Sequence, residues 1–387
     1  MAGRVESSDT LIGHACTQTG LSEFGEPSFV DGLERLVTAL NGEARLTEAG
    51  AAAQQGQIVH FLAQRLQVED WYARHPEIDE QQIVAPLIGL GLPRTGSTAM
   101  SFLLGQDPAA RSLRNWEASS PCPPPELATA DTDPRIEIAR ASLARRNARF
   151  PRMKTMYPSD PTGPTECQTF QAMDFKSQIF QAQAQVPSYA AWLNTEADLV
   201  PTYRFLKRVL KLLQWKCPPT RWRLKNPSHV VFIKDLDTVF PDARFWMTHR
   251  DVARVIPSAA DLYCELASAY SDDVDKLYMG RLNADVWDLG MRRLIAFRDA
   301  GQDHRFFDVH FAPFQRDPFP ALEQLYAFLG EDFTPEARAR MTRWRDQTPR
   351  EKHGDHRYDP ADFGLSEAAL HERFRFYNER FGVLTTA

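Results

Sequence analysis

The sequence is poor in the features that mark exported and membrane-spanning proteins. Its 387 residues contain no run of about twenty apolar residues, the length that a membrane-spanning helix requires. The opening residues lack the continuous apolar core of a secretory signal. Cysteine is also scarce, and the 5 cysteines form no CxxC pair and are widely spaced, which suits a reducing compartment. We therefore expect a cytoplasmic protein without a transmembrane segment.

The sequence also lacks an excess of positive charge. The chain has 45 Lys and Arg against 51 Asp and Glu, a net charge of −6, which argues against a nucleic-acid partner because such binding depends on neutralising phosphates. His353 and His356 have no third ligand at a suitable spacing, so no metal site is expected. With 43% hydrophobic and 25% charged residues, the composition is typical of a soluble globular protein. Nothing in it indicates the oligomeric state.

The most informative stretch of the chain is a phosphate-binding pattern that lacks its usual lysine. An apolar run rich in β-forming residues at 86–91 leads into a glycine-containing turn at 91–98 and a helix-compatible segment at 99–104. A buried strand, a tight turn and a helix N-terminus in this order collect backbone N–H groups and the positive end of the helix dipole. The stretch therefore predicts a phosphate-binding turn.

The turn departs from a Walker A motif, G-x-x-x-x-G-K-[ST], at one position. Gly91, Gly96 and Thr98 keep the spacing, but Ser97 stands where the lysine belongs, and the cation is Arg94 instead. A nucleotide kinase normally needs that lysine together with a carboxylate that holds Mg²⁺. The turn therefore favours a phosphate-bearing donor other than a metal-held triphosphate.

A second set of polar residues follows two later strand candidates, 221–224 and 243–248. Lys225 ends the first of them, and Arg250 lies just past the second. A helical apolar pattern after Arg250 places Ser258 about two turns along the following helix. Ligands of open α/β sheets collect at the carboxyl ends of the strands, so we expect Arg250 at the same edge as the turn. Its planar guanidinium suits a phosphate.

Together these motifs resemble those of sulfotransferases over residues 86–382, and those of the broad bacterial group above all. The turn at 93–98 is similar to the loop that binds the 5′-phosphosulfate of the donor, and Arg250 with Ser258 resembles the pair that binds its 3′-phosphate. The block 224–229 is similar to the strand end of tyrosylprotein sulfotransferases and of the bacterial group. The chain is therefore identified as a member of the sulfotransferase family.

The resemblance implies in-line transfer of the sulfuryl group of 3′-phosphoadenosine 5′-phosphosulfate (PAPS) to a hydroxyl or amine of a small-molecule, lipid or glycan acceptor, without a metal. It places Arg94 and Lys225 at the reacting group. Arg94 would bind the group rather than titrate, because a guanidinium stays charged in proteins. The implied PAPS-binding residues are Arg94, Thr95, Gly96, Ser97, Thr98, Arg250 and Ser258, with Lys352 and Gly354 in a turn similar to the one that closes over the 3′-phosphate.

The acceptor must lose a proton, so a general base has to lie within hydrogen-bond reach of it. Glu117 follows the turn at a distance similar to that of the catalytic glutamate of tyrosylprotein sulfotransferases, and is expected at the next strand end. His229 follows Lys225, although at a longer spacing than the histidine of cytosolic sulfotransferases. Glu166 could also touch the acceptor. We favour Glu117 as the base and keep the other two as alternatives.

The periodicity predicts a helical N-terminal appendage over residues 1–80, and the resemblance implies a sulfotransferase-like α/β domain over 81–387. The α/β domain is expected to be a P-loop-like parallel sheet wrapped by helices. A proline-marked helical insertion at about 121–219 would build the acceptor pocket above the carboxyl edge. The strand candidates lie at 86–91, 111–116, 221–224, 243–248 and 305–309.

Two other functions stay open on the sequence. An ATP-dependent small-molecule kinase would depend on Mg²⁺. A non-catalytic module of the same fold would hold a nucleotide or a lipid without turnover. Metal dependence separates the kinase from the sulfotransferase, and donor binding without turnover separates the binding module from either enzyme.

Overall fold

The computed structural model describes residues 3–157, 159–219, 221–348 and 358–383. Its strands are β1 (Leu87–Leu90), β2 (Arg111–Ser112), β3 (Trp222–Lys225), β4 (Arg244–His249) and β5 (Phe306–His310). Its α-helices are α1 (Ser8–Thr19), α2 (Phe29–Gly42), α3 (Glu48–Arg74), α4 (Ser97–Leu104), α5 (Asn115–Ser119), α6 (Arg135–Arg149), α7 (Met153–Met156), α8 (Gln168–Ala172), α9 (Gln178–Gln183), α10 (Pro187–Thr195), α11 (Val200–Gln214), α12 (Ile233–Val239), α13 (Val252–Ala267), α14 (Lys276–Phe297), α15 (Phe311–Arg316), α16 (Phe319–Leu329), α17 (Pro335–Gln347), α18 (Glu367–Arg373) and α19 (Arg375–Phe381). Within these described ranges, no helix combines the length and apolar character that crossing a bilayer demands.

The five strands form one parallel sheet in the order β2-β3-β1-β4-β5. β1 lies at its centre, where Leu87 pairs with Arg223 of β3 on one side and with Arg244 of β4 on the other. Every residue of β1 and β3 is buried, as expected of parallel strands with helices on both faces. The predicted α/β class, a parallel sheet wrapped by helices, is confirmed.

Four of the five predicted strands agree with the structure to within one residue at each end. The prediction of a strand over 111–116 is wrong beyond its second residue, because β2 ends at Ser112 and α5 begins at Asn115. The cause is local: the Glu117 carboxylate accepts the backbone N–H of Arg114 at 3.1 Å, a capping contact that starts a helix rather than extending a strand.

Two hydrophobic clusters cover opposite faces of the sheet, since alternate residues of β1 and β4 belong to different clusters. Ile88 and Phe245 face the larger cluster, and Leu87 and Trp246 face the smaller one, which α4, α16 and α17 complete. Gly89 is required where the Trp246 indole crosses β1, because an added Cβ would lie 2.2 Å from the ring. These contacts hold the central strands in place, and the residues of the candidate active site follow the carboxyl ends of those strands.

The N-terminal helices pack into the larger cluster together with the insertion. The buried apolar residues of α2 and α3 in this cluster include Leu33, Leu36, Val37 and Leu40 of α2 and Ile58, Phe61, Leu62 and Leu66 of α3. The half-buried Val59 packs against the same cluster. A buried ion pair between Arg65 of α3 and Asp174 of the insertion, at 3.0 Å, joins the two segments. The division of the chain near residue 80 stays a prediction.

Candidate active site

The turn between β1 and α4 has the backbone geometry of a phosphate-binding loop. Gly91 and Gly96 have φ values of 118° and 90°, in the left-handed region that favours glycine. Gly96 is the N-cap of α4, so the N–H groups of Ser97 and Thr98 have no partner within the helix. These N–H groups and the positive end of the helix dipole make this turn suited to an anion.

Thr95 holds the turn against the neighbouring strand. Its fully buried hydroxyl donates to the carbonyl oxygen of Leu92 at 2.9 Å and lies 2.5 Å from the hydroxyl of Thr248 on β4. A hydroxyl has one proton to donate, so Thr248 is the donor in the second bond. Thr95 therefore positions the loop through its side chain.

Arg94, Arg250 and Ser258 lie in contact at the carboxyl edge of the sheet. Nε of Arg94 donates to the Ser258 hydroxyl at 3.1 Å, and Nη1 of Arg250 donates to the carbonyl oxygen of Arg94 at 3.0 Å. Burial lowers the pKa of Arg94, and the positive charge of Arg250 lowers this pKa further. The two guanidiniums thus concentrate positive potential beside the turn, as the strand positions predicted.

Phe311, which sequence reasoning missed, supports this cluster. It follows β5 directly, and its ring centroid lies 4.2 Å from Cζ of the Arg250 guanidinium, a cation–π contact. A Cβ added at Gly96 would come within 3.0 Å of the Phe311 ring, so the ring also presses against the turn. Phe311 directly follows a strand that ends at the same edge of the sheet, and this position is the signal that could have identified it from the sequence.

Tyr358, at the C-terminal side of the chain, packs beside the same cations. Its hydroxyl donates to the carbonyl oxygen of Arg254 at 2.7 Å. Burial raises the pKa of Tyr358, and the positive charge of Arg250 acts in the opposite direction. The predicted residues Lys352 and Gly354 lie outside the described residues.

Lys225 and Glu166 form a buried pair at the end of β3. The distance between Lys225 Nζ and Glu166 Oε1 is 2.5 Å, and Gln168 Nε2 donates to the second oxygen, Oε2, at 2.8 Å. The backbone N–H of Cys167 donates to the carbonyl oxygen of Lys225 at 3.1 Å and so fixes the Glu166 segment beside the strand. A charged amine and a carboxylate are thereby held together at the carboxyl edge.

A cavity of about 300 Å³ joins the turn to this pair. Arg94, Ser97 and Thr98 line one part of it, and Lys225 and Glu166 line another. Most of the remaining wall is apolar and comes from the insertion, α13 and α14. The main apolar residues are Met153, Ile179, Ala182, Leu262, Leu266 and Trp287.

Glu117 is fully buried and does not line the cavity. Its Oε1 accepts from Arg111 Nη2 at 2.5 Å and from Arg114 Nη2 at 2.7 Å, while Oε2 accepts the backbone N–H of Arg114. Both oxygens therefore have protein donors. These contacts hold the β2–α5 connection together.

His229 also lies beside the cavity rather than in its wall. Its imidazole Nδ1 is 2.8 Å from the hydroxyl of Tyr203, and the side chain is buried. Burial lowers the pKa of His229 to about 3, so the ring is neutral at pH 7. Its neighbours Asn226, Pro227 and Ser228 line the cavity in its place.

One group among the described residues brings metal-ligand atoms within 4.8 Å of one another, namely Asp251, Glu367 and His371. Asp251 caps α13 by accepting the N–H of Ala253 at 3.0 Å, and its Oδ1 lies 2.7 Å from His371 Nε2. This group is not part of the cavity wall, in which Glu166 is the single carboxylate among the described lining residues. That the site works without a metal stays a prediction.

Comparison with models of protein families assigns the chain to one family. Residues 86–335 match the sulfotransferase family model Sulfotransfer_3, which covers the sheet, the turn, Lys225, Arg250 and Ser258. The protein belongs to the sulfotransferase family. No curated protein sequence matches the chain.

Solved structures agree with this assignment over nearly the whole chain. The sulfotransferase STF9 from Mycobacterium avium is 34% identical, with a TM-score of 0.92 over 98% of this chain and 98% of that one. The sulfotransferase STF1 from Mycobacterium tuberculosis H37Rv is 30% identical, with a TM-score of 0.85 over 96% of this chain and 98% of that one. The similarity therefore includes the N-terminal helices as well as the sheet.

Proposed function

We propose that this sulfotransferase uses PAPS and transfers its sulfuryl group to a hydroxyl of a small-molecule or lipid acceptor. The observation that carries the proposal is the contact of Arg94 with both Arg250 and Ser258, next to a cavity that also holds Lys225 and Glu166. A donor with a phosphosulfate at one position and a 3′-phosphate at another needs two adjoining anion sites. The turn and the Arg250–Ser258 pair supply two such sites.

In the proposed reaction the acceptor oxygen attacks the sulfur of PAPS, and the bond between sulfur and the bridging oxygen breaks. The electron pair of that bond leaves with adenosine 3′,5′-bisphosphate, and the acceptor hydroxyl loses its proton to the base. Charge develops on the sulfuryl and bridging oxygens. In this proposal Arg94, Lys225 and the N–H groups of Ser97 and Thr98, whose residues line the cavity, stabilise that charge.

We propose Glu166 as the general base, in preference to Glu117 and His229. Its carboxylate lines the cavity next to Lys225 and can accept a proton from a hydroxyl bound there. Glu117 has both oxygens paired outside the cavity wall, and His229 is a weak base because of its lowered pKa. Lys225 keeps Glu166 oriented and offers a cation to the transferring group.

The cytoplasm is the proposed location. All five cysteines are free thiols, and three of them, Cys122, Cys167 and Cys217, are buried without a disulfide partner. Proteins folded in oxidising compartments commonly pair such residues.

Arg250→Ala should weaken binding of adenosine 3′,5′-bisphosphate by about 1.5–3 kcal/mol, the contribution of a hydrogen bond to a charged group. This loss corresponds to roughly a 10- to 150-fold higher Kd. Calorimetric titration measures it, with the exposed Arg281→Ala as the control that should bind like the wild type. If Arg250→Ala binds the bisphosphate as tightly as the wild type does, the 3′-phosphate site is elsewhere.

A further inference from the structure

The helix α19 packs against the strand end that leads into Arg250. The Tyr377 ring of α19 is fully buried, and its centroid lies 5.7 Å from that of His249, the last residue of β4. Phe381, one turn further along α19, stacks on the same imidazole with 4.4 Å between the ring centroids. α19 therefore covers the residue that directly precedes Arg250.

Four polar side chains form one hydrogen-bonded chain at this place. Arg298 donates to both carboxylate oxygens of Asp308, at 2.9 Å and 2.7 Å. Nε2 of His249 lies 2.8 Å from Asp308 Oδ1, and Nδ1 of the same ring lies 3.1 Å from the Tyr377 hydroxyl. The contacts thus run from Arg298, just after α14, through β5 and β4 to α19.

The hydrogen bonds of this chain have one consistent direction. Burial raises the pKa of Asp308, but the hydrogen bonds from Arg298 and His249 outweigh it and hold this pKa below its ordinary value, so the carboxylate only accepts. Burial lowers the pKa of His249, and the ring is therefore neutral at pH 7. A neutral ring that donates from Nε2 to Asp308 must accept at Nδ1, so the Tyr377 hydroxyl is the donor there.

The oxygen of the Tyr377 hydroxyl in turn accepts a hydrogen bond from the main chain of Arg250. Burial raises the pKa of Tyr377, and the hydrogen bond from the Arg250 backbone acts in the opposite direction, as an N–H donor does. One hydroxyl thereby holds the side chain of His249 and the backbone of the next residue. Asp251 follows, and its Oδ1 lies 2.7 Å from Nε2 of His371 on α18. Three consecutive residues at the end of β4 are thus attached to the C-terminal helices.

The far end of the Arg250 side chain is held by a different set of contacts. Nη1 donates to the carbonyl oxygen of Arg94, and Cζ lies 4.2 Å from the centroid of the Phe311 ring. The guanidinium is therefore placed from one side, and the main chain that carries it is placed from the other by Tyr377. Binding of a phosphate by a planar guanidinium depends on geometry, so both ends of this side chain matter for the affinity.

We infer that Tyr377 is a positioning residue of the 3′-phosphate site, which acts through the main chain of Arg250 and is itself oriented by His249. This inference rests on the proposed function, because it takes Arg250 as the residue that binds the 3′-phosphate. Tyr377 is fully buried and does not line the cavity, so it acts on the donor through Arg250. α19 thereby contributes to the affinity for the donor from outside the cavity wall.

A double-mutant cycle on the binding of adenosine 3′,5′-bisphosphate tests the inference. Tyr377→Phe keeps the ring and its contact with Phe381 and removes only the hydroxyl. It should raise the calorimetric Kd of the bisphosphate about 3- to 10-fold, the effect of one hydrogen bond. In the Arg250→Ala background the same substitution should change the Kd by less than about twofold, because the side chain that it positions is gone. A purely structural role would lower the affinity by the same factor in both backgrounds.

Adenosine 5′-phosphate, which lacks the 3′-phosphate, supplies a second readout by displacement of the bisphosphate. Its Kd should stay within about twofold of the wild-type value in Tyr377→Phe, because the turn at 93–98 is unchanged. Tyr72→Phe is the matched control: it removes a buried hydroxyl that donates to the carbonyl oxygen of Arg208 at 2.8 Å, far along the chain from this site. Both nucleotides should bind to it as they do to the wild type.

An unchanged bisphosphate Kd in Tyr377→Phe, or an equal loss with and without the Arg250 side chain, overturns the inference and leaves the proposed function intact. An equal loss of affinity for both nucleotides overturns it as well. If Arg250→Ala binds the bisphosphate like the wild type, the 3′-phosphate site is elsewhere and the inference falls with that assignment. If the wild type does not bind the bisphosphate, the proposed function itself fails.

Discussion

Glu166→Gln should lower kcat by about 10²–10⁴-fold, the usual contribution of a general base. Glutamine keeps the size of the side chain and can still accept a hydrogen bond from Lys225 Nζ, which lies 2.5 Å from the carboxylate in the wild type. It cannot take up a proton. Binding of adenosine 3′,5′-bisphosphate should stay at the wild-type level, because the turn, Arg250 and Ser258 are unchanged.

The measurement is the formation of sulfated product from PAPS and 4-phenylphenol, or from the phenol or alcohol that the wild type turns over fastest. Glu196→Gln, at an exposed position of the insertion, is the matched control and should retain full activity. Bisphosphate affinity of Glu166→Gln shows that the variant is folded. A variant that binds the bisphosphate and keeps at least a tenth of the wild-type kcat would eliminate Glu166 as the base.

Glu117→Gln should lower the free energy of unfolding by about 3–5 kcal/mol, the cost of breaking a buried ion pair. The substitution leaves Arg111 and Arg114, which donate to Glu117 Oε1 at 2.5 and 2.7 Å, beside a neutral amide in a fully buried place. Urea unfolding followed by tryptophan fluorescence measures the change. Glu126→Gln, which disrupts the exposed pair with Lys216, should cost no more than about 1 kcal/mol.

The turnover of Glu117→Gln also distinguishes between Glu166 and Glu117 as the general base. The proposal for Glu166 expects Glu117→Gln to turn over at nearly the wild-type rate per folded molecule, with the folded fraction taken from bisphosphate titration. Unchanged stability together with a loss of turnover of 100-fold or more would return the base to Glu117, the residue that the family pattern favours. A variant too unstable to purify at 25 °C would already agree with the stability prediction. The turnover of the variant and of the wild type, each per folded molecule, is then compared at lower temperature with the protein stabilised by saturating bisphosphate.

The strands could be predicted because each central strand is an apolar run that ends in a turn or a charge. β1 and β4 are covered on both faces, so their sequences carry no alternation and end sharply at Gly91 and Arg250. β2 was extended too far because the helix that replaces its end depends on one capping contact of Glu117. A single side-chain contact of this kind leaves no periodic signal.

The part of the site proposed to bind PAPS could also be predicted from the sequence. Parallel strands bring their carboxyl ends to one edge, which is why the turn after β1 and Arg250 after β4 were expected together, and the structure places them in contact. Glu166 could not be ranked above the other candidates, because its contact with Lys225 joins residues 59 positions apart through tertiary packing alone.

The most direct test of the central claim is calorimetric titration of the purified protein with adenosine 3′,5′-bisphosphate in EDTA, compared with ATP in Mg²⁺. Because the turn has Ser97 at the Walker lysine position and Arg250 and Ser258 beside it, we predict tight binding of the bisphosphate without metal and much weaker binding of ATP. Absence of bisphosphate binding together with tight binding of Mg²⁺·ATP would contradict the PAPS assignment and favour a kinase.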